Sequence, residues 1–184
     1  MYKDKIIFKR LKKRFIYGLE GYKIIFKKWN DINGIKNTLK NNKIGGIIIT
    51  GSEYFVGDKI HSHIDKSILN SNIPILAICY GFQYLIYKFG RHSFIKSSNT
   101  GYMIYNNSFR ILEPFYIPKK KYYFIHTDYI VNVPKNFKII KKINNKIMIA
   151  YNYKKNILGV QFHPEKYKNS SKIFFNTWIN RCLQ

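Results

Sequence analysis

Cys79, His163 and Glu165 are the residues of this sequence whose types and spacing best suit nucleophilic chemistry. A thiol that attacks a carbonyl needs a base to take its proton and return it to the leaving group, and that base needs a partner to orient it. Cys79 supplies the thiol, His163 the base and Glu165, two residues further on, the orienting carboxylate. Pro164 between the last two fixes φ and stiffens their connection.

The surrounding sequence must position these groups. Residues 73–78 form a short apolar run, entered through Pro74 and rich in β-branched residues, that ends at Cys79. An amphipathic pattern begins at once with Phe82, Leu85, Ile86 and Phe89 and closes at Gly90. This reads as strand, sharp turn, helix. A nucleophile on such a turn stands at the carboxyl end of a sheet strand, and Gly81 permits close backbone approach. The helix that follows offers backbone N–H groups for an oxyanion and a positive dipole end that favours thiolate. A strand-end cysteine is otherwise often an inert core residue. The second apolar run, residues 157–162, ends at His163 and favours the reactive reading, because both groups then lie at strand ends.

Cys79-Tyr80-Gly81-Phe82-Gln83 and Gly159-Val160-Gln161-Phe162-His163-Pro164-Glu165 together resemble the signature of class I glutamine amidotransferases, in wording closest to the glutaminase part of GMP synthetases. Gly45 to Thr50, with Gly51-Ser52-Glu53, is similar to the family's strand and glycine-rich oxyanion loop. His126-Thr127-Asp128 through Pro134 resembles the segment that helps hold substrate glutamine. These motifs occur in family order, and the resemblance runs from about Ile44 to the end.

The resemblance implies a three-layer α/β domain around a mostly parallel, mixed sheet, with the reacting groups beyond its strand ends. It implies hydrolysis of the L-glutamine side-chain amide by Cys79, His163 and Glu165 through a thioester, with no cofactor and no metal. Backbone N–H groups of Ser52 and Tyr80 are the expected oxyanion donors, although Ser52 stands where the family has a glycine. Gln83, Gly51 and the backbone of Thr127 and Asp128 are expected to hold the substrate. The ammonia is expected to pass to a separate synthetase subunit of the ATP-pyrophosphatase type. Two alternatives stay open: a γ-glutamyl peptidase-like hydrolase, and a catalytically degenerate binding or regulatory module. The departures at Ser52, Arg91 and Asn99-Thr100 bear on the second.

Composition sets the bounds. A chain of 184 residues, 46% hydrophobic, suits one domain, here 1–184 with an atypical N-terminal stretch over about 1–43. No run has the length of a membrane span and no signal-peptide pattern occurs, so a cytoplasmic, reducing location is expected. Cys79 and Cys182 do not make a disulfide framework, and Cys182 is read as a bystander. The net charge of +24, with 16 Tyr and 14 Phe, could attract nucleic acid. The lysines, however, are spread along the chain among abundant Asn, Ile, Tyr and Phe, as A- and T-rich codons produce, so nucleic acid is not an expected partner. The cluster Lys9 to Arg14 is read as a solvated helix face. His61 and His63, two apart on an expected helix over 60–69, point to different faces and do not make a metal site.

In the N-terminal stretch, residues 5–8 and 23–26 are expected as strands, with helices over 11–19 and 32–39. Downstream, strands are expected over 44–50, 102–111, 122–125, 138–142, 147–151 and 157–162, with a turn at Lys119 to Lys121. A terminal helix from about Ser170 to Cys182 is expected to bury Ile173, Phe174, Trp178 and Ile179.

Overall fold

A computed structural model describes residues 5–56, 64–99 and 101–182. His61, His63, Thr100, the first part of the helix expected over 60–69 and the Cys182 side chain lie outside the described residues.

The site rests on the parallel half of a seven-stranded mixed sheet. Strands β1 (Ile47–Ile49), β2 (Ile75–Ile78) and β9 (Ile157–Val160) lie side by side and parallel, with Ile78 opposite Val160. These are the β-branched runs legible in the sequence. β2 and β9 are buried at every position, as strands covered on both faces must be. Beyond β9 the pairing turns antiparallel through β8 (Lys146–Asn152), which also pairs β7 (Lys138–Ile143), to β6 (Asp128–Ile130) and β3 (Ile95–Ser97). The last two are three residues long, too short for alternation to reveal.

Alternate side chains of β2 divide between two cores. Ile75 and Ala77 pack with Phe82, Leu85 and Ile86 of helix α4 (Tyr80–Phe89) on one face of the sheet. Leu76 and Ile78 pack on the other face with Phe15 and Leu11 of α1 (Lys5–Gly18) and with Phe174, Phe175 and Trp178 of α5 (Lys168–Cys182). The result is three layers, helix, sheet and helix. A hairpin of β4 (Met103–Ile111) and β5 (Ile117–His126) closes the second core with Phe109, Tyr122 and Phe124.

Four expectations change. Residues 5–8 are not a strand: they open α1, because the period that buries Leu11, Phe15 and Leu19 runs back through them without a breaker and leaves Ile6 exposed. Residues 23–26 belong to no strand or helix, whereas 32–39 is helical as expected, in α2 (Ile32–Asn41), capped by the Asp31 carboxylate. Lys119 to Lys121 is not a turn but part of β5, held there by pairing with β4 across a bulge between Phe109 and Ile111. Of the helix expected over 60–69, residues 64–69 are described, and only α3 (Lys66–Leu69) is helical: Asp65 caps it, its carboxylate accepting the Ser67 N–H, so the helix begins later than expected.

Candidate active site

Cys79 sits between β2 and α4 at φ 51°, ψ −109°. Positive φ is unusual for a residue with a Cβ, and such strain concentrates at reactive turns. The strain is held from several sides. The Cys79 N–H donates to the Val160 carbonyl at 2.8 Å, and its carbonyl accepts from the Gln83 N–H at 3.0 Å, closing the first turn of α4. Gly81 lies so close to β1 that a Cβ there would stand 2.5 Å from the Ile49 carbonyl oxygen. Gly159 is equally confined, since a Cβ there would run into the Phe82 ring. The two glycines therefore let α4 seat directly on the ends of β1 and β9, and the elbow follows from that seating.

His163 stands three residues beyond β9, the strand next to the one that carries Cys79. Its backbone is clamped from the hairpin side, where the His163 N–H donates to the Tyr123 carbonyl at 2.8 Å. A turn then closes from the Lys166 N–H to the His163 carbonyl at 3.2 Å and folds Glu165 back. His163 Nδ1 meets Glu165 Oε1 at 2.8 Å, and the Cys79 side chain lies near enough to the same imidazole to act on its protonation. All three groups are buried: Cys79 is 5%, His163 8% and Glu165 3% exposed. Burial works against the imidazolium, but the Glu165 carboxylate and the Cys79 side chain outweigh it and raise His163 from 6.5 to about 10.

The other expected site residues gather around Cys79 unevenly. Tyr80 is the first residue of α4, where N–H groups have no acceptor within their own helix. Gly51 is buried at the end of β1, and Ser52 follows it with its hydroxyl accepting the Tyr54 N–H at 3.1 Å. Ser52 does not adopt positive φ, so the glycine-to-serine change imposes no left-handed strain. Gln83 is buried and turns its Nε2 inward, to the Asp128 carbonyl at 2.7 Å and to Gln161 Oε1 at 3.3 Å. The Thr127 carbonyl accepts from the Ser98 N–H at 3.0 Å, and the Asp128 carboxylate accepts from the Ser97 hydroxyl at 2.5 Å. The carbonyls of Thr127 and Asp128 are thus engaged within the chain, and their segment joins the hairpin to β6.

His126 opens that segment and is buried as deeply as His163. Its Nδ1 lies 2.9 Å from the Asp128 carbonyl, which fixes it as the donor, and Nε2 makes no hydrogen bond among the described residues. Burial lowers it from 6.5 to about 4, against that hydrogen bond and with the help of the charges of Lys146 and His163. Gln161 was missed from the sequence as a site residue. Its signal was an amide inside the apolar run 157–162, and the structure places it, fully buried, with Nε2 3.7 Å from Cys79 Sγ. Among the described residues no group of His, Cys, Asp and Glu has the arrangement of a metal site.

The model of the family "Glutamine amidotransferase class-I" matches residues 7–180. The chain belongs to the class I glutamine amidotransferase family. Among curated relatives of this amidotransferase chain, a GMP synthase [glutamine-hydrolyzing] of Wigglesworthia glossinidia brevipalpis is 35% identical over 158 residues, 79% of the chain and 30% of the relative. One of Borreliella burgdorferi (strain N40) is 36% identical over 131 residues, 69% of the chain and 25% of the relative. The chain therefore spans less than a third of those relatives. A solved chain from Thermoplasma acidophilum, assigned to GMP synthase, has the same fold at a TM-score of 0.63 and 20% identity, with 95% of this chain and 88% of that one covered. The fold is that of the class I amidotransferases, and the chain is GMP synthase-like within the family.

Proposed function

We propose that this amidotransferase chain hydrolyses the side-chain amide of L-glutamine by a Cys79–His163–Glu165 triad and delivers the ammonia to an ATP-pyrophosphatase-type synthetase. The observation that carries the reading is the strained Cys79 elbow at the end of β2, beside the strand that leads to a buried His163 oriented by Glu165. The proton shared between Cys79 and His163 rests on His163 Nε2, since Nδ1 faces Glu165, and the raised His163 holds it there as imidazolium beside the thiolate. Cys79 Sγ attacks the amide carbon and forms a tetrahedral intermediate whose oxyanion accepts from the N–H groups of Tyr80 and Ser52. The imidazolium, stabilised by Glu165, protonates the departing nitrogen, and ammonia leaves a γ-glutamyl thioester on Cys79. His163 then deprotonates a water that attacks the thioester, and the thiol recovers the proton as glutamate departs.

Gly51, Gln83 and the Thr127–Asp128 backbone border the place where the amino-acid end of glutamine would lie. With its amide N–H groups engaged inside the chain, Gln83 has its carbonyl to offer, and a carbonyl suits the substrate ammonium. The depth of Cys79 and His163 favours a small amide over the peptide that a γ-glutamyl peptidase admits. The negative φ of Ser52 removes the steric argument for a degenerate module. The acceptor is proposed from the names of the relatives, and a reducing compartment such as the cytoplasm from the free thiol that the mechanism needs. No described helix is long and apolar enough to cross a membrane.

The test is mass spectrometry after exposure to 6-diazo-5-oxo-norleucine, a glutamine-mimicking electrophile, alone and with candidate synthetase present. A single adduct on Cys79, prevented by excess glutamine and missing in Cys79→Ala, is expected. No adduct under either condition would overturn the reading.

A further inference from the structure

We infer that Gln161 is a functional residue of this site, an N–H donor that holds Cys79 Sγ and is itself locked in the donating orientation by Gln83 and the Asp128 carbonyl. Its role in the reaction rests on Cys79 being the nucleophile proposed above. The contact itself does not.

An isolated amide could be turned either way, but here the direction of the chain is forced from one end. The Asp128 carbonyl can only accept, and it accepts from Gln83 Nε2 at 2.7 Å and from His126 Nδ1 at 2.9 Å. Gln83 must therefore face it with its NH2 group. The second N–H of that group reaches Gln161 at 3.3 Å, so the Gln161 atom there has to be the carbonyl oxygen. The Gln161 NH2 group is then left facing Cys79 Sγ at 3.7 Å, a sulfur hydrogen bond. Gln161 is fully buried and extends from the end of β9, one residue past the pair Ile78–Val160, so it has neither solvent nor room to turn.

Two backbone and amide groups touch Sγ with opposite preferences. The Ile125 carbonyl, 3.6 Å away, accepts from a thiol S–H and repels a thiolate. The Gln161 N–H favours the thiolate, because hydrogen bonds to ionised acceptors are the stronger ones. When the thiol proton leaves for His163, the Ile125 contact is lost and the Gln161 contact strengthens. Gln161 thus offsets the cost of placing a thiolate beside a carbonyl in a buried site. Through Gln83, the same amide connects the sulfur to the residue proposed to meet the substrate ammonium.

The experiment titrates the thiolate by its ultraviolet absorbance, as the difference between each protein and the same protein carrying Cys79→Ala. In Gln161→Met, which keeps the volume and removes the donor, the Cys79 midpoint is expected to rise by about one pH unit. Gln83→Met removes the group that orients Gln161 and is expected to shift the midpoint the same way by less; it also decides the matter if Gln161→Met does not fold. Midpoints equal to wild type would overturn the inference. Labelling of the same proteins with 6-diazo-5-oxo-norleucine separates the two readings. A shifted midpoint without any labelling of the wild type supports the Gln161 contact and sinks the glutaminase, and a labelled wild type with unshifted midpoints does the reverse.

Discussion

His163, past the end of β9, and His126, at the junction of β5 and β6, are both buried histidines, and the protein drives them in opposite directions. His163 is raised to about 10 and His126 lowered to about 4. Desolvation acts against the imidazolium at both. What differs is the partner: a carboxylate 2.8 Å from Nδ1 in one case, a backbone carbonyl 2.9 Å from Nδ1 in the other. A full negative charge reverses the desolvation penalty and a carbonyl dipole does not. Burial alone therefore says nothing about which histidine can act as base, and the group behind the ring decides it.

The widest separation between the two is expected in turnover. His163→Gln should lower kcat for glutamine hydrolysis by about 10³ to 10⁴-fold, as loss of a triad base does. The assay is glutamate release at saturating glutamine, and a loss of less than tenfold would break the assignment of His163 as base. Glu165→Gln keeps the volume but removes the charge that distinguishes the two sites. About 10² to 10⁴-fold loss in kcat is expected, together with the loss of the raised His163 value, followed by imidazole proton resonances across pH. His126→Gln preserves a donor to the Asp128 carbonyl, and about tenfold or less is expected. A loss as large as that of His163→Gln would mean that the two histidines had been assigned the wrong way round.

The pH dependence of stability sharpens the contrast further. Between about 4 and the ordinary value of 6.5, the unfolded chain binds a proton at His126 that the folded chain does not. Stability from this group is therefore present above 6.5 and is lost as pH falls toward 4. Between 6.5 and about 10 the folded chain holds a proton at His163 that the unfolded chain has released. That contribution is present below 6.5 and is lost as pH rises toward 10. Denaturant unfolding across pH should thus show a maximum near 6.5 from this pair, with an acid limb that His126→Gln flattens and an alkaline limb that Glu165→Gln flattens. A further effect is expected at the close contact beneath the elbow, which bears on both strand ends. Gly81→Ala pushes a methyl against the Ile49 backbone and should cost about 1–3 kcal/mol in the same unfolding measurement.

Much of the parallel half was legible in the chain. The β-branched runs at 47–49, 75–78 and 157–160 are local patterns, and their placement before Cys79 and His163 follows from contiguity. The amphipathic helix after Cys79 and the carboxylate two residues beyond His163 are equally local. Less of the antiparallel half could be read. β3 and β6 are short, and only pairing across space makes them strands: Ile95 with Ile130 and Ser97 with Asp128 between the two, and Ile130 with Ile147 of β8. Residues 5–8 carry β-propensity, yet the helix into which they run buries its own stripe against α5, with Phe15 and Phe175 rings 5.6 Å apart, and overrides it.

Sequence by itself determined which residues have the chemistry, and in what order strand, elbow and base occur, because these are properties of residue type and near-neighbour spacing. Tertiary structure decided which of them meet. It set β9 beside β2, turned Gln83 toward Asp128 and Gln161, brought the Gln161 amide to the sulfur, and separated two buried histidines by the charge behind each ring. Hydrogen bonds and electrostatic fields depend on distance in space: Gln83 and Asp128 are 45 residues apart in the chain and Gln161 and Cys79 82, while the histidine partners are only two residues away and are brought to the rings by the local turn.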